Sequence, residues 1–383
     1  MGSATYTPVE MLRKLVAFPT VSRDSNLALI SFVQEYLREH GVESHLVASD
    51  CGTKANLYAT IGPSETGGVV LSGHTDVVPV DDQDWATDPF VLTERDGRLF
   101  GRGSTDMKGF IAIALALVPR MRALKQPVHL ALSYDEEVGC LGAPRLIDAI
   151  TANLPAVRAV IVGEPTRMKV VTGHKSMFIF ETQVRGFEAH SSQQQLGVSA
   201  VMAAGRLVNW LGERQQASAS GASASDFEPP YTTLHCGVIS GGTAHNITAG
   251  RCRFVTDVRA LPTESASDYF AEYQRFVRDH VQPAMQAIHP DTGVEAHVLA
   301  DVPGFAAGEG DEAVMLAKQL TGENHTECVA YGAEAGQFQQ AGHSVVICGP
   351  GDIAQAHQPD EYIDLAQLRA GTEFVERLIA RLS

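Results

Sequence analysis

An α/β fold, with a mostly parallel sheet and an inserted ferredoxin-like α+β module, is predicted by three features of this 383-residue chain. Apolar strand-like runs alternate with helical ones through residue 178, the pattern of a parallel sheet with covering helices. From 179 to 302 the order becomes β-α-β-β-α-β, that of a small ferredoxin-like module. From 303 to 383 the alternation resumes, so the smaller domain interrupts a larger one.

Taken in order, Thr7-Pro8-Val9-Glu10 is a capping box with Pro at the first helical position, and predicts a helix to about Ala17. A second helix is expected from near Ser25 to His40, stopped by Gly41. "GGVVLSG" reads as a strand, "FIAIALALVPRMRAL" as a buried helix, "PVHLALSY" as a strand, "APRLIDAI" as a helix and "AVIVG" as a strand. In the inserted module "SMFIFETQVRG" alternates as a strand does, and "GVSAVMAAGRLVNWLGER" is helical. "YTTLHCGVISGG" and "HNITAGRCRFVTDVRA" predict two antiparallel strands, "SASDYFAEYQRFVRDHV" a helix and "GVEAHVLADV" the last strand. The Ser/Ala/Gly-rich stretch 215–230 is expected to be a flexible surface loop. "DEAVMLAKQL", "SVVICG" and a C-terminal helix complete the chain.

Composition narrows the partners. Apolar residues make up 44%, enough for a sizeable core. A formal charge of −16 opposes nucleic acid or an anionic membrane surface and allows a cationic or small substrate. The longest apolar run, "FIAIALALV", is well short of the ~20 residues of a membrane span. "MGSATYTPVEML" has no apolar h-region, and the six cysteines stand singly, so a cytoplasmic chain with reduced thiols is expected, none of them catalytic.

Chemistry gathers where strands end. "SGHTD" ends one strand in His74 and Asp76; "HLALSY" runs into Asp135, Glu136 and Glu137; "AVIVG" runs into Glu164; "SVVICGPG" opens a loop reaching His357. In open α/β sheets, sites form at the carboxyl ends of strands. Asp106 in "GRGSTDMKG" follows a glycine turn at the start of the buried helix. His74, Asp106, Glu137, Glu164 and His357 then make two imidazoles and three carboxylates. Uncompensated, three carboxylates would repel and protonate. Two divalent cations with a hydroxide would balance them, and mixed imidazole/carboxylate donors suit Zn²⁺, Co²⁺ or Mn²⁺. Asp76 is expected to accept the other N–H of His74 and so fix its tautomer.

Each residue also has a plainer reading. H-x-D at a strand end can be incidental, Asp106 can cap the following helix, and Asp135-Glu136-Glu137 can be a solvated acidic turn. Their coincidence at the ends of several apolar strands favours the site. His40, His45, His129 and His289 read as surface or boundary residues.

"SGHTDVVP", "GRGSTDMKG", "DEEVGCLGA", "VGEPT" and "GPGDIAQAHQPDEY" together resemble the di-zinc deacetylase, aminoacylase and carboxypeptidase family. The resemblance covers nearly the whole chain and implies a catalytic domain with an inserted lid and dimerisation domain. It implies that His74, Asp106 and Glu164 hold one metal, that Asp106, Glu137 and His357 hold the other, and that the peptide Asp106–Met107 is cis. The cofactor would be two Zn²⁺ or Co²⁺ per subunit, with Glu136 as general base. "GFEAHSS" implies that His190 stabilises the oxyanion, and since related desuccinylases take this histidine from a partner subunit, a homodimer is implied. "SGGTAHNIT" and "TDVRALP" place Asn246 and Arg259 as substrate contacts, although Arg259 can equally pair with a local Asp. Glu334 in "YGAEAGQF" would face a substrate ammonium or else sit at a helix N-terminus; Ala333 stands where the family pattern has Thr.

The activity so implied is removal of the acetyl group from Nα-acetyl-L-ornithine, giving L-ornithine and acetate for arginine biosynthesis. A desuccinylase acting on succinyl-diaminopimelate, or a broad N-acyl-amino-acid hydrolase, is the alternative. A serine hydrolase lacks its G-x-S-x-G elbow here, and "GRGSTD" puts Asp106 where a dinucleotide fingerprint needs its third glycine. A non-catalytic homologue would not need an intact ligand set.

Overall fold

The computed structural model describes residues 5–221 and 226–383, and the chain's contacts divide it into two units. The first comprises residues up to Thr172 with Ala306–Glu327 and Ala333–Ser383. Its sheet runs in the order Ser44–Ala48, Ala55–Ile61, Val128–Ser133, Val69–His74, Ala159–Pro165, Val345–Gly349, Val170–His174. The middle four strands are parallel, and antiparallel strands flank them on both sides. Every residue of these four middle strands is buried. Continuous apolar runs are what strands covered on both faces require.

Helices connect and cover the parallel strands. Lys108–Ala116 joins Val69–His74 to Val128–Ser133, and Ala143–Asn153 leads on to Ala159–Pro165. All nine residues of Lys108–Ala116 are buried. Phe110, Ile111, Ile113 and Leu115 each contribute ~1.5–3 kcal/mol by leaving water. The expected run to Leu124 is cut short, because Pro119 has no N–H for a helical bond; a 3-10 turn, Val118–Arg120, follows instead. Lys108 keeps its ammonium bonded by donating to the Phe18 carbonyl at 2.8 Å. Near the N-terminus the capping box forms as expected, with Thr7 and Glu10 bonded reciprocally at 2.8 and 3.2 Å around the helix Pro8–Val16.

The second unit comprises Gly173–Phe305 with Cys328–Gly332. Its antiparallel sheet is ordered Thr233–Gly241, Arg251–Arg259, Met177–Arg185, Gly293–Val302, the ferredoxin-like arrangement. Met177–Arg185 alternates between buried and more exposed positions. Its buried Phe178, Phe180 and Val184 join Leu207, Trp210 and Tyr273 of the covering helices in one core.

Two expectations shift here. The units divide at 172/173 and 305/306 rather than at 178/179 and 302/303. Lys175 shows why: it donates to the carbonyls of Pro229 and Tyr231, both at 2.7 Å, which ties the approach to the first strand into this unit. The loop expected at 215–230 begins instead as helix, since Ala200–Ser220 is continuous. Gln215 accepts from the Leu234 N–H at 2.6 Å and Ser218 donates to the Thr232 carbonyl at 2.7 Å, which holds that last turn. Residues 222–225 of the stretch lie outside the described residues. Among the described residues no helix is long and apolar enough to cross a membrane.

Candidate metal centre

Parallel strands of the first unit deliver their last residues to one rim. His74 ends its strand, Glu164 lies at the end of Ala159–Pro165, Glu137 follows Val128–Ser133 and His357 follows Val345–Gly349. Asp106 comes after the turn at Gly103, whose φ of +77° favours glycine. The expected set falls into two groups, His74–Asp106–Glu164 and Asp106–Glu137–His357, with the donor atoms of each within 4.8 Å of one another. Asp106 belongs to both: Oδ1 lies 3.0 Å from Nε2 of His74, and Oδ2 lies 3.5 Å from Nε2 of His357. Glu164 Oε1 is 3.9 Å from Nε2 of His74, and Glu137 Oε2 is 2.9 Å from Nε2 of His357. The peptide Asp106–Met107 is cis. Asp106 does not cap the following helix: Met107 occupies that position, with no side-chain cap.

Electrostatics separates these carboxylates. Burial, then the Asp106 charge, pushes Glu137 up to about 7 and raises Glu164 well above the usual carboxylate range. Burial opposes ionisation of Asp106 as well, but hydrogen bonds from His357 and His74 hold it well below its ordinary value. Glu164 Oε1 is buried with no hydrogen-bond partner, an acceptor that nothing in the protein satisfies. A buried, hard oxygen left open beside an imidazole is what a divalent cation would complete. The donor set therefore fits a divalent cation in each group, with Asp106 common to both.

Asp76 departs from expectation. The Nδ1 of His74 bonds to the main-chain oxygen of Asp76 at 2.9 Å, whereas the Asp76 carboxylate is 3.7 Å from that nitrogen. The carboxylate instead accepts from Ser22 Oγ at 2.7 Å and from the backbone N–H groups of Glu136 and Glu137 at 3.1 and 3.3 Å. Period-two reasoning puts residues 74 and 76 on one side of a strand, but the strand ends at His74. Beyond it the regular alternation stops, and the side chain meets the neighbouring segment at 136 and 137. Glu136 is 9% exposed and Cys140 Sγ donates to its Oε1 at 3.3 Å. Burial raises its carboxyl well above the usual range, against the pull of His74 and with the help of Glu137 and Asp106.

Glu334 is 1% exposed; Ser72 Oγ donates to its Oε2 at 3.2 Å, and its Oε1 has no partner. It precedes the helix Ala335–Gln340 without making a side-chain cap. His129, expected at a surface or boundary, is fully buried, with Nδ1 2.9 Å from Thr60 Oγ1, because its strand is covered on both faces. One residue lies within a quoted motif, "GPGDIAQAHQPDEY", yet is given no role by it. Glu361 is buried and accepts from the backbone of Gly103, Thr105 and Asp106 at 3.0, 2.9 and 3.2 Å. An acid four places after His357, with Arg102 in the glycine turn as its counter-charge, was the available signal.

In the second unit His190 and Asn246 come together. The Asn246 carbonyl accepts from Ser191 N at 3.0 Å, beside the bridge between His190 and Ile247. His190 is exposed; its Nδ1 accepts from the Ser192 N–H at 3.2 Å, so a neutral ring carries its proton on Nε2. Arg259 pairs with Asp257 at 2.9 Å. It ends the strand Arg251–Arg259, and Asn246 comes five residues before that strand's start. The eight steps between the strand's ends span about 26 Å.

Residues 70–381 match peptidase family M20/M25/M40. A curated acetylornithine deacetylase from Myxococcus xanthus is 38% identical over 96% of this chain and 96% of its own. Another so named, from Proteus mirabilis, is 34% identical over 97% and 96%. Among solved structures, an M20 family metallo-carboxypeptidase from Sulfolobus solfataricus superposes with a TM-score of 0.78 at 18% identity, covering 98% of both chains.

Proposed function

The chain belongs to peptidase family M20/M25/M40 and is a metallohydrolase of amide bonds, and from that premise we propose that it removes the acetyl group from Nα-acetyl-L-ornithine, giving L-ornithine and acetate for arginine biosynthesis. The observation that carries the substrate is the pair of relatives named acetylornithine deacetylase, aligned over 96% or more of this chain. Glu334 supports it: a carboxylate oxygen without a donor, in a protein of net charge −16, suits a substrate bearing an ammonium group. The same carboxylate opposes the second carboxylate of a succinylated substrate.

His74, Asp106 and Glu164 would hold one cation, and Asp106, Glu137 and His357 the other; Zn²⁺ or Co²⁺ suits these donors. Bound there, the cations supply Lewis acidity that polarises the amide carbonyl and lowers the pKa of water. Glu136 acts as the proton carrier: its carboxylate takes a proton from the attacking water and passes it to the departing amine nitrogen. Asp76, by gripping the N–H of Glu136, orients that carrier. His190, with Nε2–H free to donate, stabilises the oxyanion. Asn246 contacts the substrate, and Arg259 grips its carboxylate.

Arg259 ends the strand Arg251–Arg259, an element about 26 Å long, while Asn246 and His190 lie in the loops beyond the strand's other end. That placement towards opposite ends of one strand favours a homodimer in which each site takes residues from both copies. Among the described residues the strand Thr233–Gly241 stands at the edge of its sheet, with Val238 and Ile239 exposed, as a pairing surface requires. The six free cysteines suit a reducing, cytoplasmic setting.

The test compares kcat/KM for Nα-acetyl-L-ornithine and N-succinyl-diaminopimelate on zinc- or cobalt-loaded protein, with a chelated control. Preference for the acetylated substrate by ~100-fold corresponds to ~2.7 kcal/mol at the transition state. Equal or reversed preference would overturn the substrate and leave the metallohydrolase in place.

A further inference from the structure

We infer that the buried pair Arg102–Glu361 is a positioning clamp that sets Asp106 and His357 relative to one another, and so governs cation binding at Asp106–Glu137–His357 more than at His74–Asp106–Glu164. The inference rests on the two-cation reading above.

Both side chains of the pair are 1% exposed. A pair so buried contributes little net stability over an apolar replacement, since desolvation offsets the attraction. Its contacts point to geometry. Glu361 Oε1 accepts from Thr105 N and Asp106 N at 2.9 and 3.2 Å; Oε2 accepts from Gly103 N at 3.0 Å and from Arg102 Nη1 at 2.8 Å. The carboxylate thus replaces regular secondary structure as the partner of the loop that carries Asp106. That loop packs closely against Val77: a Cβ at Gly103 would stand 2.6 Å from Val77 Cγ1.

Arg102 extends the clamp to His357. Its Nη1 also donates to the Gln358 carbonyl at 3.3 Å, and its Nη2 donates to the Pro79 carbonyl at 3.4 Å and to Gln83 Oε1 at 2.5 Å. Gln83 Nε2 in turn donates to the His357 carbonyl at 3.0 Å. Trp85 donates to the same Gln83 oxygen and lies 5.1 Å under the guanidinium. His357 needs such support, for its side chain is 53% exposed and its backbone is left-handed, with φ of 64°. By contrast, His74 pairs with Ser133 in the parallel ladder, and Glu164 lies within the buried strand Ala159–Pro165, between residues paired to Val345–Gly349.

Cobalt(II) titration, followed by calorimetry and visible absorption, tests the clamp without reference to turnover. The wild-type chain is expected to take two equivalents. Glu361→Gln should keep one tight equivalent and weaken the second by ~10–100-fold, with a changed absorption envelope for that equivalent. Gln83→Leu, which removes the link from Arg102 and Trp85 to His357 but leaves the Glu361 contacts with residues 102–106 in place, should weaken the same equivalent by less, at a melting temperature near wild type. Two unchanged equivalents in folded Glu361→Gln, or an equal loss at both in Gln83→Leu, would overturn the clamp. If Glu361→Gln does not fold, Gln83→Leu decides, and wild-type affinity there overturns the inference. A wild-type chain that binds a single cation would instead remove the two-cation reading, and the clamp with it.

Discussion

The carboxylate of Asp76 accepts the backbone N–H of Glu136 at 3.1 Å, so the acid of the H-x-D pair holds the turn that carries the proposed general base rather than the imidazole beside it. The imidazole of His74 is held by the main chain of the same residue. The two functions of Asp76 are therefore separable by mutation.

Asp76→Ala is expected to lower kcat by ~10–100-fold while leaving both cations bound. The main-chain oxygen that orients His74 survives the substitution, and the grip on Glu136 and Glu137 is lost together with the bond from Ser22. Metal content by elemental analysis beside steady-state kinetics checks this. Loss of a cation would return Asp76 to the role of a histidine partner.

Glu136→Gln keeps the shape of the side chain but cannot carry a proton. Turnover should fall by at least ~10²–10⁴-fold with two cations retained. Near-normal turnover would remove Glu136 as the base.

His190→Ala is expected to lower kcat by ~10²–10³-fold without loss of metal. Mixed dimers give a sharper result. If each site takes His190 from the other copy, combining inactive Glu136→Gln and His190→Ala chains restores one intact site per heterodimer, roughly a quarter of wild-type activity at equal ratio. No recovery in verified heterodimers would place His190 in its own chain's site.

His129 makes stability depend on pH. Burial pushes its imidazole down to about 4, against an ordinary value of 6.5. Below pH 6.5 the unfolded chain takes up a proton that the folded chain refuses. The contribution is thus complete above pH 6.5 and drains away as pH falls towards 4, by ~3 kcal/mol at the acid end. Urea midpoints at pH 7 and pH 4.5 should fall further apart for wild type than for His129→Gln. Equal falls in the two proteins would exclude His129 as the source.

Much of this molecule is legible without coordinates, because the determining interactions are local. Continuous apolar runs such as "AVIVG" mark strands covered on both faces, and a polar residue directly after such a run must stand at the sheet's rim. That argument finds His74 and Glu164 and points to the loops that carry Glu137 and His357, and the structure groups all four around Asp106. The capping box at Thr7–Glu10 is readable for the same reason, since its partners are three residues apart.

What tertiary structure alone decides is which partner meets which across long separations. Asp76 turns to residues 136 and 137 because the strand stops at His74 and its alternation stops with it. Glu361 reaches back 255 residues to the N–H of Asp106, and His129 is buried by layers its own segment does not contain. A hydrogen bond of this kind depends on two packed surfaces matching within a few tenths of an ångström. Periodicity specifies the face a residue occupies; only the packed fold supplies what stands opposite it.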